Sequence, residues 1–154
     1  MLQKSLVLEA ILLALREEFE SYVASSKKTR ATGNDAQTKA EGKYDTRSIE
    51  ENYLADGLSR QALVARQAFA ALSALPVVAF DAETPIRVGA LVELVFPTEN
   101  LWFFLAPAAG GLEVRVSGQT VTVLTPDAPL GLQLQGRRQG ESTQKPETRI
   151  LRVL

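Results

Sequence analysis

The sequence predicts an α+β protein, in which an antiparallel helical hairpin precedes a small, mostly antiparallel β-sheet with one short helix. Apolar residues follow a helical period up to Pro76 and a period of two after it. Glycine, proline and other turn-forming residues also become frequent after Pro76. We therefore expect a coiled-coil hairpin over residues 1-75, with a tip loop at about 27-43, and a sheet domain over residues 76-154.

Two apolar stripes with four- and three-residue spacing predict the helices of the hairpin. We expect the first helix from about Leu2 to Ser26 and the second from about Tyr44 to Leu75, before Pro76. The segment between them is polar, which predicts a loop or a frayed helical extension. The stripes are Leu8, Leu12, Leu15, Phe19 and Tyr22, and then Leu58, Ala62, Ala65, Phe69 and Leu72.

Short β-branched or aromatic runs after Pro76 predict five or six strands. These runs are IRVGALVELVF, LWFFLA, LEVRV, QTVTVLT and TRILRVL. Ser117-Gly118, flanked by valines, predicts a tight hairpin turn, and a short helix is expected around Leu130 to Leu134. The consecutive aromatics of LWFFLA predict a core on both faces of the sheet rather than an exposed contact surface.

Composition excludes several classes of function. The chain has 17 Lys and Arg against 18 Asp and Glu, so it lacks the basic excess of proteins that coat nucleic acid. It has no Cys and no His, which excludes disulfides, thiol or imidazole nucleophiles and most zinc sites. A bound metal would be a hard ion such as Mg²⁺, held by carboxylates. Glu9 interrupts the N-terminal apolar stretch, which argues against a signal peptide, and we expect a cytoplasmic protein without a membrane partner.

The segment from Thr125 to Glu141, TPDAPLGLQLQGRRQGE, resembles the C-terminal signature of the Gre family of bacterial transcript-cleavage elongation factors. In that family an Asp-Ser-Pro-like turn leads into a short helix ending in Leu-Leu-Gly-Lys, followed by a Gly-Asp pair and a final strand. Here Asp127-Ala128-Pro129 matches the turn, Leu130 to Arg137 the helix and its end, and Gly140-Glu141 the acidic pair. The resemblance covers nearly the whole chain and implies an FKBP-like C-terminal domain.

The resemblance implies an accessory protein of RNA polymerase that is not an enzyme on its own. The globular domain of such a factor docks on the rim of the polymerase secondary channel, and the hairpin enters the channel towards the catalytic centre and the nascent RNA end. Acidic residues at the hairpin tip help to hold a second Mg²⁺ there. The free protein is expected to be a monomer without a cofactor. The implied docking residues are Asp127, Pro129, Leu130 and Gly131.

The tip motif of the family is an acid, two residues, Glu and Asn. In the preferred register Gly42 replaces the first acid and Asp45-Thr46 replaces Glu-Asn, so Asp45 is the expected Mg²⁺ ligand in the polymerase complex. A second register places Glu50, Glu51 and Asn52 on the motif. The expected tip acids are Asp45, Glu41 and Asp35, and the expected basic contacts to RNA or polymerase are Lys39, Lys43 and Arg47.

Several alternatives remain open at this point. Asp45 also fits a helix start, where the macrodipole favours an acid, and the basic residues also fit a solvated loop. The factor would either stimulate transcript cleavage or occlude the channel. An FKBP-like domain also fits a peptidyl-prolyl isomerase or a peptide-binding chaperone, although fold alone is a weak argument for function. A third alternative is an adaptor whose partner is not polymerase.

Overall fold

The structure is a computed structural model that describes the backbone of residues 1–39 and 46–154 and the side chains of residues 1–29 and 56–154. Helix α1 spans Lys4–Lys39 and helix α2 spans Thr46–Ser73. A mixed sheet with one short helix follows, which confirms the predicted α+β class. α1 is longer than expected, since it continues past Ser26, where the sequence predicted a loop or a frayed helical extension. Lys, Arg, Ala and Gln make up seven of the thirteen residues from Lys27 to Lys39 and favour a helix, whereas Gly33, Asn34 and Asp35 oppose it.

The chain divides into two compact units. One consists of Met1–Ala14 together with Ala70–Leu154, and the other of Leu15–Phe69. The first therefore contains every strand of the described residues, the short helix near residue 130 and one end of each long helix. The boundary near Pro76, which was predicted from a change of sequence pattern, and the FKBP-like character of the sheet domain stay predictions.

The unit Leu15–Phe69 contains a packed helical pair. The predicted seam residues Leu15, Ala62 and Ala65 are buried, and Phe19 is partly buried. Ser26 of α1 and Ser59 of α2 share a hydrogen bond of 2.8 Å between their hydroxyl oxygens. The small side chains along α2 suit this close approach of the two helices.

The sheet contains six strands in the described part of the chain, in the order β3-β4-β2-β1-β6-β5. β2 and β4 are parallel, and the other neighbouring strands are antiparallel. Helix α3 spans Pro129–Leu134, in agreement with the predicted short helix. The strands are β1 (Leu91–Val95), β2 (Asn100–Leu105), β3 (Glu113–Val116), β4 (Gln119–Leu124), β5 (Ser142–Gln144) and β6 (Glu147–Val153).

A two-residue turn joins β3 to β4. Ser117 has φ 51° and Gly118 has φ 78°, and Val116 is paired with Gln119. Positive φ at both central residues is the geometry that matches the twist of a two-residue hairpin. The predicted hairpin is confirmed.

Both faces of the sheet are covered. Val92 and Leu94 belong to a core cluster with Leu134 and Ile150, and Phe103 packs against it. On the opposite face the alternation of β2 places Trp102 and Phe104, which are 6% and 1% exposed. The predicted core on both sides of the aromatic strand is confirmed.

No helix in the described residues has the length and apolar character needed to cross a lipid bilayer.

Candidate functional site

The turn that resembles the Gre signature leads directly into α3. Ala128 is the N-cap residue with extended backbone, and its amide donates a hydrogen bond of 3.1 Å to the Thr125 carbonyl. Pro129 occupies the first turn of the helix, where its missing N–H leaves no helical hydrogen bond unmade. Asp127 and Pro129 are both exposed. The turn therefore presents a carboxylate and a rigid apolar ring to solvent.

The inner side of α3 is buried and closely packed. Leu134 is fully buried in the core cluster and Leu130 packs against that cluster. Gly131 is also buried, and a Cβ atom added to it would lie 2.1 Å from the Thr125 carbonyl oxygen. Real Cβ atoms essentially never approach another atom this closely. Only glycine at this position lets α3 lie against the preceding turn.

The side chain of Gln133 fastens α3 to the β5–β6 turn. Its Oε1 accepts hydrogen bonds from the amides of Gln144 at 3.0 Å and Lys145 at 3.2 Å, and its Nε2 donates to the Lys145 carbonyl. The Arg137 guanidinium donates to the Gln133 carbonyl at 2.6 Å. Four hydrogen bonds therefore converge on one residue of a six-residue helix.

The C-terminal end of α3 is joined to a second segment. The Gly136 amide donates to the Ile86 carbonyl, and the Ile86 amide donates to the Arg137 carbonyl, both at 2.8 Å. Gly136 and Gly140 have φ of 80° and 91°, backbone conformations that glycine adopts without the steric cost of a side chain. The carboxylate of Glu141, in the predicted acidic pair, accepts a hydrogen bond from the Arg138 amide.

In the loop before Ile86, the Asp81 carboxylate accepts three hydrogen bonds from nearby residues. The hydroxyl of Thr84 hydrogen-bonds the Asp81 carboxylate at 2.6 Å, and the amides of Glu83 and Thr84 donate to the same oxygen at 3.0 and 2.8 Å. These hydrogen bonds, the one from the hydroxyl above all, hold the pKa of Asp81 below its usual value. The Arg138 guanidinium donates to the Glu83 carbonyl at 2.8 Å, which ties this loop to the chain after α3.

The outer side of α3 carries an exposed leucine that sequence reasoning missed. Leu132 is 64% exposed, although it belongs to a short helix with two inward-facing leucines. The sequence LGLQL contained a signal, because three leucines within five helical positions do not all face one core. We call Asp127, Pro129 and Leu132 together the α3 surface.

The four predicted docking residues therefore have different surroundings. Asp127 and Pro129 lie on the α3 surface, whereas Leu130 is partly buried and Gly131 is buried. For Gly131 the structure shows a packing requirement, namely the close approach to Thr125. The docking role of all four stays a prediction.

Most of the predicted tip lies outside the described residues. This applies to Glu41, Lys43 and Asp45, and to the side chains of Asp35, Lys39 and Arg47, whose backbones belong to α1 and α2. The alternative acids Glu50 and Glu51 belong to α2. The side chains that are described contain no cluster of three acidic residues suited to a metal ion. The Mg²⁺ role of Asp45 stays a prediction.

A second polar cluster lies on the sheet, on the face that carries Trp102. Glu93 of β1 is 5% exposed, and its Oε2 lies 2.6 Å from Nε of Arg152 on the neighbouring strand β6. Asn100 Nδ2 donates to Glu93 Oε1 at 3.2 Å. The Arg152 guanidinium carbon lies 5.3 Å from the centre of the Trp102 ring. Both oxygens of the buried carboxylate therefore have a hydrogen-bond donor.

Comparisons with known proteins found structural similarity only. The chain is similar to the GreA factor homolog 1 (Gfh1) of Thermus thermophilus, with 16% identity and a TM-score of 0.36 over 94% of this chain and 95% of that one. It is also similar to a second structure of the transcription factor Gfh1, with 18% identity and a TM-score of 0.39 over 94% and 93%. For Thermus aquaticus Gfh1 the identity is 19% and the TM-score 0.33, over 94% of both chains. No family model and no curated protein matches the chain.

Proposed function

We propose that this protein is a transcription factor that binds RNA polymerase at its secondary channel. The α3 surface is the single observation that carries the proposal. It exposes Asp127 and Pro129 of the Gre-like signature, and α3 itself is held in a fixed position. An exposed leucine on a helix held by its neighbours, with an exposed carboxylate five residues before it, is suited to protein recognition, since little conformational freedom is lost on binding.

The proposed docking mode uses both the buried and the exposed residues of the signature. The buried residues Gly131 and Leu134, with the hydrogen bonds of Gln133, fix the position of α3. The exposed residues of the α3 surface then contact the rim of the channel. In this mode the factor supplies a shaped surface and a hairpin, and it has no catalytic activity of its own.

We further propose that the protein occludes the channel rather than strongly stimulating cleavage. Gly42 stands where the Gre-like tip motif has its first acid, so Asp45 is the one carboxylate on the motif in the preferred register. A lone carboxylate still ligates a Mg²⁺ ion that polymerase and RNA phosphates already hold. It adds less affinity for the ion than a pair of carboxylates does.

Binding to core RNA polymerase tests the docking surface. We expect Asp127→Ala and Leu132→Ala each to weaken binding about tenfold, because each removes an exposed anchor without disturbing the core. Binding is measured by fluorescence anisotropy of labelled protein at fixed salt, with Leu151→Ala as the control for loss of an exposed leucine elsewhere. Thermal unfolding of all variants should match wild type. Absence of wild-type binding refutes the function, and equal binding by all variants refutes docking through the α3 surface.

Transcript cleavage by backtracked polymerase complexes tests the proposed direction of regulation. We expect the protein to protect these complexes against cleavage by an authentic Gre factor, and Asp45→Ala to protect equally well, because occlusion does not need the tip carboxylate. Glu17→Ala, which removes an exposed carboxylate of α1 outside the predicted tip, is the matched control. Strong cleavage by wild type that collapses in Asp45→Ala would show a cleavage factor instead of an occluding one.

The isomerase alternative gains no support from the aromatic strand. An isomerase needs a concave pocket with aromatic walls, and in β2 Trp102 and Phe104 are buried while Phe103 packs against the core. A prolyl-peptide assay addresses this alternative directly.

A further inference from the structure

An unusual lysine lies at the start of α1, within the compact unit that contains the sheet. Lys4 is half-buried and lines an open cleft of about 370 Å³ together with Ser5, Val77 and Phe80. Its amine lies 4.4 Å from the centre of the Phe80 ring and donates a hydrogen bond to the Val78 carbonyl. The amine is therefore held in a defined position at the wall of a cleft open to solvent.

A second cation shares the same aromatic ring. The guanidinium carbon of Arg87 lies 5.2 Å from the centre of the Phe80 ring. Among the side chains that the structure describes, no carboxylate forms an ion pair with Lys4 or with Arg87. Neither cation next to Phe80 has a carboxylate within ion-pairing distance, so both are available to attract an anion.

Burial and the Arg87 guanidinium favour the neutral amine, whereas the Val78 carbonyl and the Phe80 ring favour the charged one. Burial lowers the pKa of Lys4 to about 8, and the charge of Arg87 acts in the same direction. Near neutral pH the uncharged share of this amine is therefore much larger than the roughly 0.1% of an ordinary lysine. Only the uncharged amine is a nucleophile, so Lys4 combines a positioned nucleophile with a neighbouring cation.

We propose that Lys4 is a site of covalent acylation by small acyl phosphates. The amine nitrogen attacks the acyl carbonyl carbon, so that a C–N amide bond forms and the C–O bond to phosphate breaks. The phosphate leaves with the electron pair of that bond, and the extra proton on nitrogen passes to water or to the leaving phosphate. Arg87 attracts the phosphate group of the donor and stabilises it as it leaves. The product carries a neutral amide in place of the cation over Phe80.

Site-resolved mass spectrometry after incubation with acetyl phosphate tests this proposal, independently of any polymerase function. We expect Lys4 to be acetylated about tenfold faster than Lys27 or Lys145, because the larger share of free amine outweighs its lower basicity and partial burial. Fragment spectra distinguish Lys4 from the terminal amine of Met1. In concentrated urea the rates at Lys4 and Lys145 should become equal, since the cleft is lost.

The Arg87→Gln variant separates the contribution of the Arg87 charge from that of the Lys4 amine. We expect this variant to slow acetylation of Lys4 by acetyl phosphate at least threefold, and by a neutral active ester to a smaller extent, because the neutral ester has no phosphate to attract. A Lys4 rate no higher than that of Lys145 in the folded protein overturns the proposal. A preference for Lys4 that persists in urea also overturns it, because the cause would then be the local sequence.

Discussion

Replacing Gly131 with alanine is expected to lower the free energy of unfolding by about 3 kcal/mol, at the upper end of the usual cost of overpacking. The added methyl group would lie 2.1 Å from the Thr125 carbonyl oxygen. This oxygen belongs to the backbone and also accepts the Ala128 amide, so it has no freedom to rotate away. Either α3 or the turn must move, and both are held by further hydrogen bonds. Urea unfolding followed by circular dichroism measures the loss.

Gly57→Ala is the matched control for this prediction. Gly57 lies within α2, and its nearest neighbour would be the flexible end of the Arg60 side chain at 3.9 Å. Alanine is better than glycine in a helix interior by about 0.5 to 1 kcal/mol, so this variant should be more stable than wild type. The same chemical change thus has opposite signs at the two positions. A loss of less than about 1 kcal/mol in Gly131→Ala would contradict the close approach of α3 to Thr125.

Replacing Arg152 with methionine is expected to lower the free energy of unfolding by about 2 kcal/mol, because a buried carboxylate loses its countercharge. Glu93 is 5% exposed, and Asn100 alone would remain to satisfy it. The Arg152 side chain is 46% exposed, so water partly screens the pair and the loss is smaller than for a fully buried one. Urea unfolding at low and high salt measures the effect.

A double-mutant cycle separates the interaction energy of the Glu93–Arg152 ion pair from the packing energy of the two side chains. Arg152→Met combined with Glu93→Gln should recover most of the lost stability, because no buried charge is then left alone. Arg149→Met removes an exposed cation from the same strand and should change stability by less than about 0.5 kcal/mol. If Arg152→Met and Arg149→Met lower the free energy of unfolding equally, the ion pair between Arg152 and Glu93 does not stabilise the protein.

Local chemistry explains which parts of the fold the sequence predicted well. The Ser117-Gly118 turn and the start of α3 at Pro129 follow from backbone preferences of the residues themselves. The positive φ of Gly136 and Gly140 follows from the same kind of preference. The signature after Thr125 contains α3, which is fixed on three sides by the core, the β5–β6 turn and the Ile86 segment.

Long-range pairing explains most of what the sequence did not predict. Glu93 interrupts the apolar run LVELV, and only the pairing of β1 with β6 shows that Arg152 lies opposite. β5 is three residues long and has no apolar side chain, so its pairing with β6 leaves no periodic signal. The exposure of Leu132 depends on how α3 is turned against the core.

The strand order has a consequence for self-association. A sheet that does not close into a barrel has two edges with unpaired backbone groups, and such edges are templates for strand addition by other molecules. Here the edges are β3, of four residues, and β5, of three. β3 presents the exposed charges of Glu113 and Arg115, and Lys145 and Pro146 directly follow β5. The apolar strands β1 and β2 lie in the interior of the sheet, so the segments most prone to form fibrils have no free edge in the folded protein.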